Sequence, residues 1–153
     1  VAYESPASLT AGTLVTADKY NGLVSAAIPS TAHDEGGGDR TISSTTFATF
    51  TGAPSVAVTH GARVKVEWGA VVSVGASAGS STDLSVDLSG SNTVAASSNY
   101  AAAHTHESEY VSVARSRVFT GLTAGTTTFA LQAKRATSNG TVTNAWLIVT
   151  PVG

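Results

Sequence analysis

The residues best placed to do chemistry fall into a few short clusters. His104-Thr105-His106 is the first. On a β-strand, side chains two residues apart point the same way, so both imidazoles could face one ion. Glu107 and Glu109 stand nearby as oxygen ligands. One chain supplies only this histidine pair, but three chains about a three-fold axis would supply a set suited to a transition metal. The plainer alternative is two solvent-exposed histidines beside a loop. His33-Asp34-Glu35, followed by three glycines and Asp39, offers hard oxygens for a cation such as Ca²⁺. It lacks the fixed spacing of an EF-hand loop, and an acidic surface loop is the commoner meaning.

Gly75-Ala76-Ser77-Ala78-Gly79 matches the G-x-S-x-G nucleophile pattern, with Asp83, Asp87 and His104 following in hydrolase order. That pattern works only on a sharp strand-to-helix turn, where amides form an oxyanion hole. Here a Ser/Thr/Asp stretch and another strand pattern follow, so the segment reads as a flexible loop and no catalytic residue is assigned. Asp83 and Asp87 could be a glycosidase pair, but they alternate with Leu84, Val86 and Leu88 and so point to solvent. Trp68, Trp146 and Tyr100 could stack on sugars. Trp68 and Trp146 lie in strongly apolar strands, which favours burial in the core for both. Asn139-Gly140-Thr141 fits a glycosylation acceptor, though a turn explains Asn-Gly already.

The elements that must carry these residues are mostly strands. The chain has 153 residues, enough for one domain with a real core. Charged residues make up 12%, against a usual ~25%, while Ser, Thr, Gly, Ala and Val abound. Depleted charge with abundant Thr and Val points to β-structure, with surface covered by other subunits. A net charge of −2 gives no basic face for nucleic acid, and no apolar run is long enough to span a bilayer. Without cysteine there are no disulfides or zinc–sulfur sites. The opening Val1-Ala2-Tyr3-Glu4 does not read as a signal peptide.

In chain order, residues 1–13 read as an extended arm. Thr16 caps a short helix with Tyr20, Leu23, Val24, Ala27 and Ile28 on one face, ended by Pro29. Gly22 weakens it, so the helix depends on docking. Ser30 to Arg40 reads as a loop. Strands are then expected over Thr45–Thr51, Val56–Val58, Arg63–Val74, Leu84–Leu88, weakly over Thr93–Ser97, and over Glu109–Phe119. Tyr100 to His106 is open between a helical turn and a loop. In the last third, Phe129, Leu131 and Ala133 alternate on a first arm, and Ser138-Asn139-Gly140 predicts a hairpin into a second. The second arm, Asn144 to Pro151, has Trp146 and Ile148 on one face and Leu147 and Val149 on the other. Such a strand is central, covered by the sandwich or by a neighbouring subunit. The fold expected is all-β: a roughly eight-stranded antiparallel β-sandwich of jelly-roll type over 41–153, preceded by an arm, helix and glycine loop over 1–40.

Two stretches carry a family resemblance. Leu9-Thr10-Ala11-Gly12-Thr13-Leu14-Val15-Thr16-Ala17-Asp18-Lys19-Tyr20-Asn21 is similar to the entry segment of tailed-bacteriophage tail and capsid accessory proteins. Gly121-Leu122-Thr123-Ala124-Gly125, Phe129-Ala130-Leu131-Gln132 and Asn144-Ala145-Trp146-Leu147-Ile148-Val149-Thr150-Pro151 resemble the closing strands of phage jelly rolls related in shape to trimeric C1q/TNF-like sandwiches. The resemblance implies a non-enzymatic structural protein on the virion surface, decorating the capsid or tail. Its expected partners are two more copies of itself and phage capsid or tail proteins, with Tyr20, Leu23, Val24 and Ile28 as the contact face. It implies no cofactor, no nucleic acid and no membrane. His104 and His106 resemble the iron-binding pairs of some phage spike tips. The alternative is a host-receptor or carbohydrate-binding module of a tail fibre that meets a host surface glycan. A hydrolase would need Ser77 and His104 within hydrogen-bond reach.

Overall fold

The computed structural model describes residues 28–34, 38–76, 78–105 and 109–152. The nine strands among them are β1 (Ser30–His33), β2 (Arg40–Ile42), β3 (Ser55–His60), β4 (Arg63–Val74), β5 (Thr82–Gly90), β6 (Ala102–His104), β7 (Val111–Thr120), β8 (Gly125–Arg135) and β9 (Gly140–Pro151). One 3₁₀ turn, Ser98–Tyr100, precedes β6. Every pairing is antiparallel. Sheet I runs β1-β9-β4-β7, with β2 also on the β9 edge; sheet II runs β3-β8-β5-β6. From β2 onward each strand passes to the opposite sheet, except β5 to β6. That winding is a jelly roll.

The expected helix from Thr16 lies outside the described residues, apart from its last position. Ile28 is 57% exposed, two residues before β1.

The alternation in β4 decides where the core sits. Val64, Val66, Trp68, Ala70, Val72 and Val74 all face inward and are buried, as their spacing predicts. Leu84, Val86 and Leu88 of β5 and Phe129 and Leu131 of β8 meet them from sheet II. The burial of each large side chain contributes about 1.5–3 kcal/mol. Trp68 keeps its ring nitrogen satisfied by donating to the Leu84 carbonyl across the sandwich, at 3.2 Å.

Four local expectations fail, each for a physical reason. Ser138-Asn139-Gly140 does not close a hairpin, because β8 and β9 belong to different sheets. A type I′ turn needs positive φ at its two central residues. Asn144 is the only non-glycine residue with positive φ among the described ones, and Gly140 is not among the positive-φ glycines. Gly140 serves close approach instead: a Cβ there would sit 1.9 Å from Thr82 Oγ1 and 2.7 Å from the Ser73 carbonyl. Ser30 to Arg40, read as loop, contains β1, which is polar but pairs along β9 from Ser30↔Val149 to His33↔Trp146. Thr45–Thr51 and Thr93–Ser97, read as strands, contribute only single bridges, Ala48↔Ala133 and Leu88↔Val94.

The fourth correction concerns Trp146. The pairing of β4 with β9 slips between Gly69 and Val71, a β-bulge that places Asn144 at φ 51°. Val142 faces the core before it, and Ala145, Leu147, Val149 and Pro151 face the core after it. The inward set changes from even to odd numbers, which sends Trp146 and Ile148 to the outside of sheet I, half-buried.

Candidate functional site

The outer face of sheet I is built from residues one position out of phase with the core. Strand β9 gives Trp146, Ile148 and Thr150; β4 gives Lys65, Glu67, Gly69 and Val71. Across the ladders, Thr31 and His33 of β1 lie beside Ile148 and Trp146, and Val118 of β7 lies beside Lys65. Gly69 makes room for the indole: a Cβ there would be 2.7 Å from Trp146 Cζ2 and 2.6 Å from the Val113 carbonyl. The tryptophan therefore lies over β4. Its only charged neighbours on β4, Lys65 and Glu67, neutralise each other at 3.0 Å. Both are substantially exposed, so that pair stabilises little. Val118 is 45% exposed. This face offers a ring and branched aliphatics around one self-neutralised ion pair, with the exposed Arg63 at the start of β4 as its remaining charge on that strand.

The outer face of sheet II differs throughout. Asp83, Ser85 and Asp87 of β5 alternate with the buried leucines and valine. Beside them β8 presents Thr128, Ala130, Gln132 and Lys134. Lys134 Nζ reaches Asp83 Oδ2 at 3.6 Å and also lies 5.1 Å from the Phe47 ring centre. The two aspartates face outward as expected, and Asp83 is held by a cation rather than set opposite a second acid.

The chemistry-bearing clusters are dispersed. His104 lies buried at the end of β6, opposite Thr82; His106 and Ser77 lie outside the described residues. The G-x-S-x-G segment leads into β5, a strand, so the helix that its chemistry needs does not follow it. Asp34 is engaged by Arg40 Nη2 at 3.3 Å, which ties β1 to β2, and Asp39 accepts a hydrogen bond from the Tyr110 hydroxyl at 2.6 Å. The acidic loop is thus divided between two structural contacts. Among the described residues no group of three or more His, Cys, Asp or Glu could hold a metal ion. Of the expected contact residues, Tyr20, Leu23 and Val24 lie outside the described residues, and Ile28 alone is placed. Among the described residues no helix is long and apolar enough to cross a membrane.

Two groups that the sequence did not single out are structural. His60, fully buried, has Nδ1 2.6 Å from the Gly61 carbonyl and Nε2 2.9 Å from Thr127 Oγ1. A carbonyl only accepts, so Nδ1 carries the proton and Nε2 accepts from the threonine. Asn92 donates to Thr127 Oγ1 and pairs with the Thr123 backbone, fastening the loops that follow β5 and β7 to this histidine's partner. At the β7 edge, Arg117 stacks over Tyr100 and Phe119 at 4.1 and 4.7 Å. Burial raises the Tyr100 pKa, and the Arg117 charge partly opposes the rise. Only the spatial neighbour across the strands reveals either arrangement.

The molecule is in class a two-sheet jelly roll with one apolar outer face. No family model and no curated protein sequence matches the chain. Solved structures match its fold. Eiger TNF from S. frugiperda superimposes with a TM-score of 0.52 at 10% identity, over 82% of this chain and 92% of that one. VP2 of the infectious bursal disease virus subviral particle gives 0.59 at 15% identity, over 82% of this chain and 33% of that one. The CBM22-1 xylan-binding domain of Paenibacillus barcinonensis Xyn10C overlaps more loosely, at 0.43. Identities this low establish the jelly-roll fold alone.

Proposed function

We propose that this chain is a non-enzymatic structural subunit of a tailed-phage virion, assembled as a homotrimer and exposed on the capsid or tail. The observation that carries the reading is the outer face of sheet I. Trp146, Ile148 and Val118 sit there in partial exposure, with Lys65 paired to Glu67 and Arg63 only at the end of β4, and desolvating the apolar side chains costs little. Closed symmetry is the usual solution for such a face. The N-terminal segment, residues 1–28, is the anchor to the underlying particle. Its Thr-Ala-Asp-Lys-Tyr-Asn motif supports the phage assignment. The likeness to VP2 of a subviral particle supports the use of such a sandwich in a shell.

Solution mass tests the assembly. The full chain should be a trimer at micromolar concentration, and Ile148→Glu a folded monomer. A full-length monomer would overturn intrinsic trimerisation. A chain starting at Ile28 should still trimerise but lose binding to empty particles. If it associates more strongly than the full chain, the N-terminal segment covers the face itself and the anchor role fails.

A further inference from the structure

A pocket of about 230 Å³ opens on the flank of the sandwich, where the chain leaves β2 and crosses toward sheet II. It lies between Thr41–Ser44 and Ala48–Thr51, with Ala133 of β8 beneath. None of its lining residues belongs to the apolar outer face, so the site is independent of the assembly reading and either can fail alone.

Its walls are fixed by the backbone. Ala48 and Ala133 exchange hydrogen bonds of 3.1 and 3.0 Å. The Arg135 amide donates to the Ser44 carbonyl at 2.8 Å, and the Arg135 guanidinium to the Ser43 carbonyl at 2.7 Å. Ala53 donates to the Phe50 carbonyl at 3.0 Å. A cleft held in this way is ready before any ligand arrives, which reduces the entropic cost of binding.

The lining selects the ligand class. No lining side chain is charged, so neither an anion nor a cation finds a counter-charge. The floor is apolar, with Ile42 and Ala133 buried and Phe50 packed partly against the core. The rim carries the hydroxyls of Thr41, Ser43, Thr49 and Thr51, and no hydrogen bond to another described residue engages them. A ring with one apolar face and a girdle of hydroxyls matches that arrangement. The volume is below the ~300–1,000 Å³ of drug-sized sites and suits a single sugar unit. We infer that this pocket is a binding subsite for one neutral pyranose, seated with its C–H face toward Phe50 and its hydroxyls on the Ser/Thr rim.

Amide chemical-shift titration of the full chain with glucose, galactose, mannose and N-acetylglucosamine tests the inference, with glucuronate as the charged comparison. At least one neutral sugar should give saturating shifts confined to the amides of 41–51 and 133, with a Kd on the order of 1 mM. Phe50→Ala should weaken it at least tenfold. Thr49 is exposed, so Thr49→Trp fills the mouth without disturbing the core and should abolish the shifts, while Thr49→Ser preserves them. No local shift with any neutral sugar at tens of millimolar would overturn the site. So would shifts that persist in Thr49→Trp, or a response to glucuronate alone.

Discussion

The two outer faces of the sandwich share one core and meet solvent in opposite ways. Sheet II turns Asp83, Asp87, Gln132 and Lys134 outward, polar side chains of which Asp83 and Lys134 also pair with each other. Sheet I turns out Trp146, Ile148, Val71 and Val118, with one self-neutralised ion pair on β4 and Arg63 at that strand's end. Nothing in the core requires this asymmetry, since both sheets contribute large buried side chains to it. A monomer would be better solvated with two faces like that of sheet II. The difference makes sheet I the side that the proposed assembly would cover.

The largest effect bears on the inner side of the same sheet. Trp68 and Trp146 lie on paired strands, one on each face. Trp68→Ala should cost about 3–5 kcal/mol in denaturant unfolding, because it opens a cavity between the sheets and strands the Leu84 carbonyl. Trp146→Ala should cost about 1 kcal/mol or less in the monomer, yet abolish association. Equal losses of stability would break the comparison by making the outer tryptophan a core residue.

Gly69 comes next. Gly69→Ala brings a methyl against the Val113 carbonyl and the indole, so stability should fall by about 1–3 kcal/mol. The double variant Gly69→Ala/Trp146→Ala should recover only the part due to the ring, because the carbonyl contact remains. Full recovery would show that the indole alone dictates glycine here.

The smallest effects concern charge. Gln132→Glu on sheet II should leave both mass and stability within about 0.5 kcal/mol of the parent. Lys65→Ala should change stability by less than about 1 kcal/mol, since the pair it breaks is exposed and screened. Association should nevertheless weaken, because Glu67 is left uncompensated when the face is covered. A mass unchanged by Lys65→Ala at every concentration would place the contact away from β4.

Much of this architecture is legible in the residues. The long alternation of β4, the Leu-x-Val-x-Leu of β5 and the Phe-x-Leu-x-Ala of β8 place three strands and their buried faces directly. What escaped depends on contacts distant in sequence. β1 has no apolar pattern of its own and exists because β9 offers it an edge. Asn-Gly reads as a hairpin until Thr82 is known to press on Gly140. The outer-face site was half visible: Trp146 and Ile148 stood out as a pair on one side of their strand. Which side they take depends on a single residue, Asn144, whose left-handed backbone leaves only a weak local signature.

That residue acts on β9 as a frame selector acts on a code. The segment Ala145-Trp146-Leu147-Ile148-Val149 is apolar at every position, so it can be read in either of two phases. With Asn144 in place, the compact branched residues Leu147 and Val149 are read inward and the bulky ring is published outward. A chain shorter by that one residue would read the other phase, carrying Trp146 and Ile148 into the core and exposing Leu147 and Val149. A single in-frame codon deletion, with no substitution at all, would thus rewrite the outer surface of sheet I, the one on which the proposed assembly rests.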